Sequence, residues 1–377
     1  MVGAATTSEV ASAAAASSAR AADASPFTPK AIPSDRPSLR GDRLRAVIAG
    51  VLRFQDPRTP SFSDRHRKDA ELAALLEQRG ASGKVDLLLD DAATVRAIKT
   101  ELRKTAEATA PDETLVFYYA GHGDRDKKGA IRFVGYDAEI SLFDIETILR
   151  TSFKGQSVIL LGDCCFSGGL EEVAAHLQKV GIHATALSSA EASNLSTAQW
   201  TFTQAVIDAL EGAPLLDRDG DGFIELSELA DETRATLAHF DHQRAGVALL
   251  GHAPGLILAS ATAPRPHGKL GAFEVGDFVD VPQAGKLTTG RIVATTVDHA
   301  TVSIFDYADR TETDFAAADL HDVTFKRYPV GQVVQVEWEG KLWPAKIEAT
   351  DGDFHFVSYP GWAAYWDEWV LSDRISP

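Results

Sequence analysis

The sequence predicts an α/β domain, a mostly parallel sheet sandwiched by helices, followed by small all-β barrels. Three observations carry this reading. Between residues 41 and 262, apolar runs of strand length alternate with amphipathic helical stretches. A Pro/Gly-rich segment at 263–271 then breaks the pattern. Beyond it, short alternating strands separated by Gly and Asp replace the helices, and Trp residues crowd from Trp338 onward.

The elements follow in order. Residues 1–40 are Ala/Ser-rich and then Pro-rich, with no apolar stripe to bury, and are expected to form a disordered tail. Leu44 to Val51 reads as the first strand. Asp64 to Arg79 reads as a helix with Leu72, Leu75 and Leu76 inward and Gly80 stopping it. Val85 to Leu89 is the second strand, and Thr94 to Ala108 a helix with Val95, Ile98 and Leu102 on one face. Thr114 to Ala120 is the third strand. Ser141 and Asp144 sit at capping-box spacing before Ile145, Ile148 and Leu149. Ser157 to Gly162 is the next strand, and Ala184 to Ser188 and Leu256 to Ala259 are expected to be two more. Repeated strand–helix–strand units require right-handed crossovers and a parallel sheet.

Composition narrows the function. The 377 residues are 45% hydrophobic and 24% charged, which suits a soluble protein with two or three domains. No apolar run reaches membrane-helix length, and the N-terminus has no signal-peptide pattern. The net charge of −17 disfavours nucleic acid and anionic membranes as partners and suits basic peptides. The two cysteines, Cys164 and Cys165, are adjacent, so a disulfide framework is excluded and a cytoplasmic location is expected.

Those cysteines lie in Asp163-Cys164-Cys165-Phe166-Ser167-Gly168, and a histidine lies in Tyr119-Ala120-Gly121-His122-Gly123. Each stretch directly follows an apolar strand. Open parallel sheets place their chemistry at the carboxyl ends of their strands, so the thiol and the imidazole can meet there. A thiol attacks as its thiolate and needs a partner to take the proton. This pair makes a cysteine peptidase the leading expectation. Zinc is the weaker reading, because adjacent cysteines chelate poorly and only His252 offers a fourth ligand.

Gly-His-Gly after one strand and Asp-x-Cys-x-Ser-Gly after the next resemble the motifs of caspase-like peptidases, and of metacaspases and bacterial orthocaspases more than animal caspases. The resemblance runs from about Arg43 to Ser260. His122 precedes Cys165 by 43 residues, near the roughly 50 expected. The chain departs from the pattern with Cys164 for Ser, Phe166 for His, and Ala120 where metacaspases often carry Ser. By motif position the resemblance implies Cys165 as nucleophile, His122 as acid/base, and the backbone N–H groups of Gly123 and Cys165 as oxyanion donors. It also implies a basic residue on the acyl side of the cleaved bond, gripped by Asp163 and by Asp69 at the start of the first helix. The rival is a catalytically inactive scaffold of the same fold whose barrels bind partner proteins. Retention of both His122 and Cys165 argues against it.

Residues 217–228 fit an EF-hand calcium loop. Asp217, Asp219 and Asp221 stand at positions 1, 3 and 5, Gly222 at 6, and the Phe223 carbonyl at 7. Glu225 stands at 9 and Glu228 at 12. One bound Ca2+ is expected. With no second loop to pair with, modest affinity and a structural role are expected.

The C-terminal part carries a faint repeat, Phe273–Val281 against Tyr328–Val336 and Gly290–Val293 against Pro344–Ile347. It predicts SH3/Tudor-like barrels at 272–326 and 327–377. The second resembles the Tudor-knot and agenet group, whose aromatics bind methylated Lys or Arg. Trp343, Tyr359, Trp362 and Tyr365 are the matching candidates for such a partner. Trp369 is expected in the barrel core. A chain ending near Ser260 is expected to fold and to cleave short peptides without the barrels.

Overall fold

A computed structural model describes residues 27–377, apart from 82, 156, 198, 253 and 308. The predicted tail through residue 26 lies outside the described residues.

Six strands form the central sheet: β1 (Leu44–Gly50), β2 (Val85–Leu89), β3 (Thr114–Ala120), β4 (Ser157–Asp163), β5 (His183–Ser188) and β6 (Gly246–Leu249). Their order is β6-β5-β4-β3-β1-β2, and all pairs are parallel except β5 with β6. Side chains alternate across the sheet with period two. Ile48, Tyr118 and Leu161 enter one core with helices α1 (Lys68–Leu76), α5 (Thr201–Glu211) and α6 (Leu226–Thr236). Val47, Phe117 and Leu160 enter the other with α2 (Val95–Ala108), α3 (Leu142–Ser152) and α4 (Leu170–Lys179). Burial of each such side chain contributes about 1.5–3 kcal/mol before entropy is counted. Helix starts follow local chemistry: the Thr94 hydroxyl caps α2, and Ser141 with Asp144 closes the expected capping box on α3.

Three expectations are corrected. The sixth strand is Gly246–Leu249, while Ile257–Ser260 leaves the main sheet and pairs with Phe223–Glu225. The first helix is shorter than expected, because a wide turn at Glu77–Ala81 with Gly80 at φ 112° ends it. Residues 27–40 are not a free tail where they are described. Leu39 is buried, and Leu39 N–H and Ile257 N–H donate to the carbonyls of Ile257 and Pro37.

The C-terminal part forms two five-stranded antiparallel sheets of the same strand order. In the first, Phe278–Gln283, Lys286–Thr295, His299–Asp306 and Asp309–Ala316 form a meander, and His321–Asp322 returns beside its first strand. In the second, the matching strands are Val333–Trp338, Lys341–Asp351, Phe354–Ser358, Glu368–Val370 and the returning Ile375–Ser376. One constant offset relates the buried residues Val279, Ile292, Val302 and Leu320 to Val334, Ile347, Val357 and Ile375. The repeat is therefore real, but Ile292 matches Ile347, one residue away from the sequence alignment. No described helix is long and apolar enough to cross a membrane.

Candidate active site

β3 and β4 are neighbours in register, with Ala120 opposite Asp163. His122 and Cys165 stand two residues beyond that pair, so the parallel register alone carries both to one edge of the sheet. Both line a single cleft of about 140 Å³ together with Gly121, Asp163, Ser196, Trp200 and Tyr307.

The imidazole is held on three sides. Phe54 and Phe62 flank it at centroid distances of 4.9 and 4.3 Å, and its Nε2 lies 2.7 Å from the Pro60 carbonyl. A carbonyl only accepts, so Nε2 carries a proton, and in the neutral ring the lone pair is then on Nδ1. Below the ring, the Tyr119 hydroxyl lies 2.8 Å from the His122 carbonyl and 2.8 Å from that of Val134. The loop after β1 thus supplies the orienting group, which the sequence reading missed.

Burial pushes the Cys165 thiol above its usual pKa, opposed by the backbone N–H groups of Ser196, Cys165 and Gly123 that face the sulfur. The Ser196 N–H is 3.2 Å from Sγ. A thiol held protonated by desolvation needs a neighbouring base, and His122 lines the same cleft. The N–H groups of Gly123 and Cys165 converge on the sulfur, where an oxyanion formed by its attack would also lie. Glycine is required at 123 for a tighter reason than substrate access. A Cβ there would stand 1.9 Å from the Cys165 carbonyl oxygen. Cys164 is buried in the opposite core, its thiol pushed well up by desolvation.

Asp163 lies on the cleft wall, 8% exposed, and its Oδ2 accepts a 2.5 Å hydrogen bond from the Thr203 hydroxyl. Burial raises its carboxyl to about 6. No cation pairs with it among the described residues. Asp69 does not join it. That carboxylate is fully buried off the cleft, bound by Arg67 through Nη2 at 2.7 Å and Nε at 3.2 Å. The nearby carboxyl that burial raises to about 7 is Asp241, beside Thr201 and Thr197 and within the field of Asp163.

Tyr307, on the tip of a hairpin from the first C-terminal sheet, closes one side of the cleft. Its hydroxyl donates to the Ser63 carbonyl at 2.6 Å, and its own carbonyl accepts from Trp200 N–H at 3.1 Å. Nothing in the local sequence marks this contact.

In the 217–228 loop, carboxylate oxygens of Asp217, Asp219 and Asp221 lie within 4.8 Å of one another. Asp217 is 2% exposed, and its Oδ1 has no hydrogen-bond partner among the described residues. Phe223–Glu225 pairs with Ile257–Ser260, which takes the place a second loop would occupy. Glu228 instead accepts the N–H groups of Arg218 at 2.6 Å and Glu225 at 2.9 Å. Arg36 pairs with Asp221 and Glu225, and Lys30 reaches the Asp221 carbonyl.

The aromatics of the last sheet form a second cavity of about 350 Å³. Trp343, Tyr359, Trp362 and Tyr365 all line it, and Trp362 is 51% exposed, so it is no core residue. Trp369 is also outside the core. It packs against Phe356 and lies under the Arg244 guanidinium at the face toward the α/β domain.

No curated protein matches the chain. Among solved structures, a protein of Geobacter sulfurreducens is similar at 16% identity, over 57% of this chain and 99% of that one, with a TM-score of 0.42. Caspase-1 from Spodoptera frugiperda is similar at 13% identity, over 62% of this chain and 98% of its own, with a TM-score of 0.43. The family model described as the caspase domain matches residues 43–265, which span all six strands of the sheet and the segments that carry His122 and Cys165. The chain belongs to the caspase domain family.

Proposed function

We propose that the chain is a cysteine endopeptidase that cleaves after Arg or Lys through Cys165 and His122. The observation that carries this reading is the fixed imidazole: Pro60 orients Nε2 as donor, and Nδ1 is left to take the Cys165 proton. The thiolate then attacks the peptide carbonyl carbon, and the oxyanion meets the N–H groups of Gly123 and Cys165. The imidazolium returns its proton to the leaving amine, and water hydrolyses the thioester. Asp163, charged and without a cation of its own, would pair with the basic side chain, and Asp241 would deepen the negative field in place of Asp69. The test is a peptide-library cleavage profile. Release after Arg or Lys is expected, and preferred cleavage after Asp would overturn the assignment.

The 217–228 loop is the proposed Ca2+ site. Asp217, Asp219, Asp221, the Phe223 carbonyl, Glu225 (through water) and Glu228 would hold the ion, and the buried, unpartnered Asp217 Oδ1 supports the fit. Arg36 and Lys30 then act as counter-ions to the loop. A ligand that binds only the folded state raises its stability. Millimolar calcium should raise the melting temperature by several degrees, and Glu228→Gln should remove most of that gain. An unchanged melting curve retires the site.

The aromatic cavity of the last sheet is proposed to bind a methylated Lys or Arg of a partner protein. The barrels are, however, packed against the α/β domain and are expected to support it. Arg291 of the first pairs with Glu232 of α6, and both are buried. Removing one partner of such a pair costs about 3–5 kcal/mol. A chain ending near Ser260 would remove Arg291 from Glu232, leaving it only the longer contact with Arg218 at 3.6 Å, and delete Tyr307 from the cleft. Its kcat/KM on short peptides should fall at least roughly tenfold, with a lower melting temperature. Retention of full short-peptide activity in the truncated chain would restore the simpler view of the barrels as pure recruitment modules.

A further inference from the structure

The aromatic cavity is not contained in the last sheet. Trp343, Trp362, Trp366 and Tyr365 supply one side, meeting edge to face in sequence at interplanar angles of 84–85°. The other side is Phe166 and Leu195 of the α/β domain. Phe166 follows the nucleophile directly, and Leu195 precedes the residue whose N–H faces its sulfur. A ligand filling this space therefore touches the loop that carries Cys165 and the loop that holds its thiol.

Two further connections tie the same sheet to both catalytic loops. Asn194 grips the Trp369 backbone at two points: its Nδ2 donates to the carbonyl at 2.7 Å and its Oδ1 accepts the N–H at 3.1 Å. The Asn194 carbonyl in turn accepts Phe166 N–H at 2.8 Å. Arg125 extends from the strand that begins at Gly123. Its guanidinium lies between the rings of Phe166 and Tyr365, 4.9 Å from each, and donates to the Ala192 and Tyr365 carbonyls. The sheet thus holds the histidine loop through Arg125 and the cysteine loop through Asn194.

The walls also state what fits. Perpendicular rings present several negative π faces to one compact volume, which attracts a cation. Arg125 keeps its own positive charge on this wall, held flat between two rings, and the carboxylates of Asp367, within its field, and Glu339, at the rim, offset it. Glu368 is committed to Arg374, at 2.8 and 2.9 Å, and Glu339 is exposed at the rim. Ring faces offer few acceptors, so a primary ammonium would leave N–H groups unsatisfied, whereas a methylated one carries fewer or none. The volume falls within the range of small-ligand sites.

We propose that this cavity is an effector site: a methylated ammonium side chain of a protein substrate, seated between the two domains, increases the reactivity of Cys165 through Asn194 and Arg125. The proposal rests on the reading of the cavity as a methylated-residue site and adds its coupling to catalysis. The ligand bridges both walls and stabilises the docked arrangement in which the Ser196 N–H faces the sulfur. Where the same ligand also tightens substrate binding in the catalytic cleft, linkage makes occupancy of that cleft tighten binding in the aromatic cavity by the same factor.

The test uses the full chain and a short trimethyl-lysine peptide with no other basic residue. Binding is read from tryptophan fluorescence. Coupling is read as the rate of Cys165 alkylation by iodoacetamide, with the peptide over without it, which needs no knowledge of the natural substrate. Alkylation forms the thioether and releases iodide and a proton. An increase of at least about threefold is expected in the wild type. Trp362→Ala should weaken binding at least tenfold and return the ratio to one. Asn194→Ala should still bind the peptide while its ratio also falls to one. If that variant melts early, Asn194→Asp, which keeps an acceptor for Trp369 N–H, should give an intermediate ratio. Binding with an unchanged ratio in the wild type would overturn the coupling and leave the binding reading standing. No binding at millimolar peptide would overturn both. A raised ratio in a protein that hydrolyses no peptide would uphold the coupling and remove the peptidase reading.

Discussion

Replacement of Cys165 by alanine is expected to reduce peptide hydrolysis at least about 10⁴-fold, whereas Cys164→Ala should leave turnover within a few-fold of the parent. The adjacent thiols differ in burial and in hydrogen-bond partners. Cys164 is 2% exposed and packs in the core with Tyr119 and Phe133, so its removal costs packing, roughly 1 kcal/mol, and no reacting atom. Both cysteines border the cleft that His122 lines, but the Ser196 N–H faces the Cys165 sulfur. His122→Ala should cost nearly as much as Cys165→Ala, and the double variant little more, because the pair acts as a unit. Labelling by a peptide electrophile followed by mass spectrometry checks the same assignment. A label on Cys164, or a Cys164→Ala variant as dead as Cys165→Ala, would overturn it.

The candidate motifs around His122 and Cys165 were legible because each follows a complete apolar strand. Once Thr114–Ala120 and Ser157–Asp163 are neighbours in register, the positions of His122 and Cys165 follow from counting. Residues brought in from afar were not legible. Pro60, Phe54 and Phe62 sit in an irregular loop whose path local pattern does not record. Tyr307 and Asn194 act through contacts between the α/β domain and the C-terminal sheets. Asp69 has the helix-start position that the resemblance favours, but no pattern shows that Arg67 folds back onto it. The sixth strand was misassigned for a related reason. Gly246–Leu249 is short and only half-buried, while Ile257–Ser260 is more deeply buried. Apolar character identifies a strand without saying which sheet it joins.

Asp163→Asn should separate substrate recognition from stability in opposite directions. Burial raises the Asp163 carboxyl to about 6, against an ordinary value near 4. A group with its folded pKa raised contributes stability that is fully present below about pH 4 and lost as pH rises through about 6. At pH 7 the ionised, unpaired carboxylate therefore costs the native state roughly 3 kcal/mol. Asparagine is neutral, has the same shape and keeps an oxygen to accept the Thr203 hydroxyl. The variant should melt several degrees higher at pH 7 and show no gain at pH 4. If Asp163 grips the basic side chain, kcat/KM for Arg substrates should fall about 100-fold or more, because the substrate cation loses the charge that compensates its desolvation. In the parent, ionisation of Asp163 through about 6 should add a limb for those substrates to the ascending limb of the general base, and the asparagine variant should keep only the shared one. A substrate with an uncharged residue at the same position should show neither the loss nor the added limb. An Asp163→Asn enzyme that gained stability yet cleaved Arg peptides as before would show that the buried carboxylate strains the sheet edge without recognising the substrate.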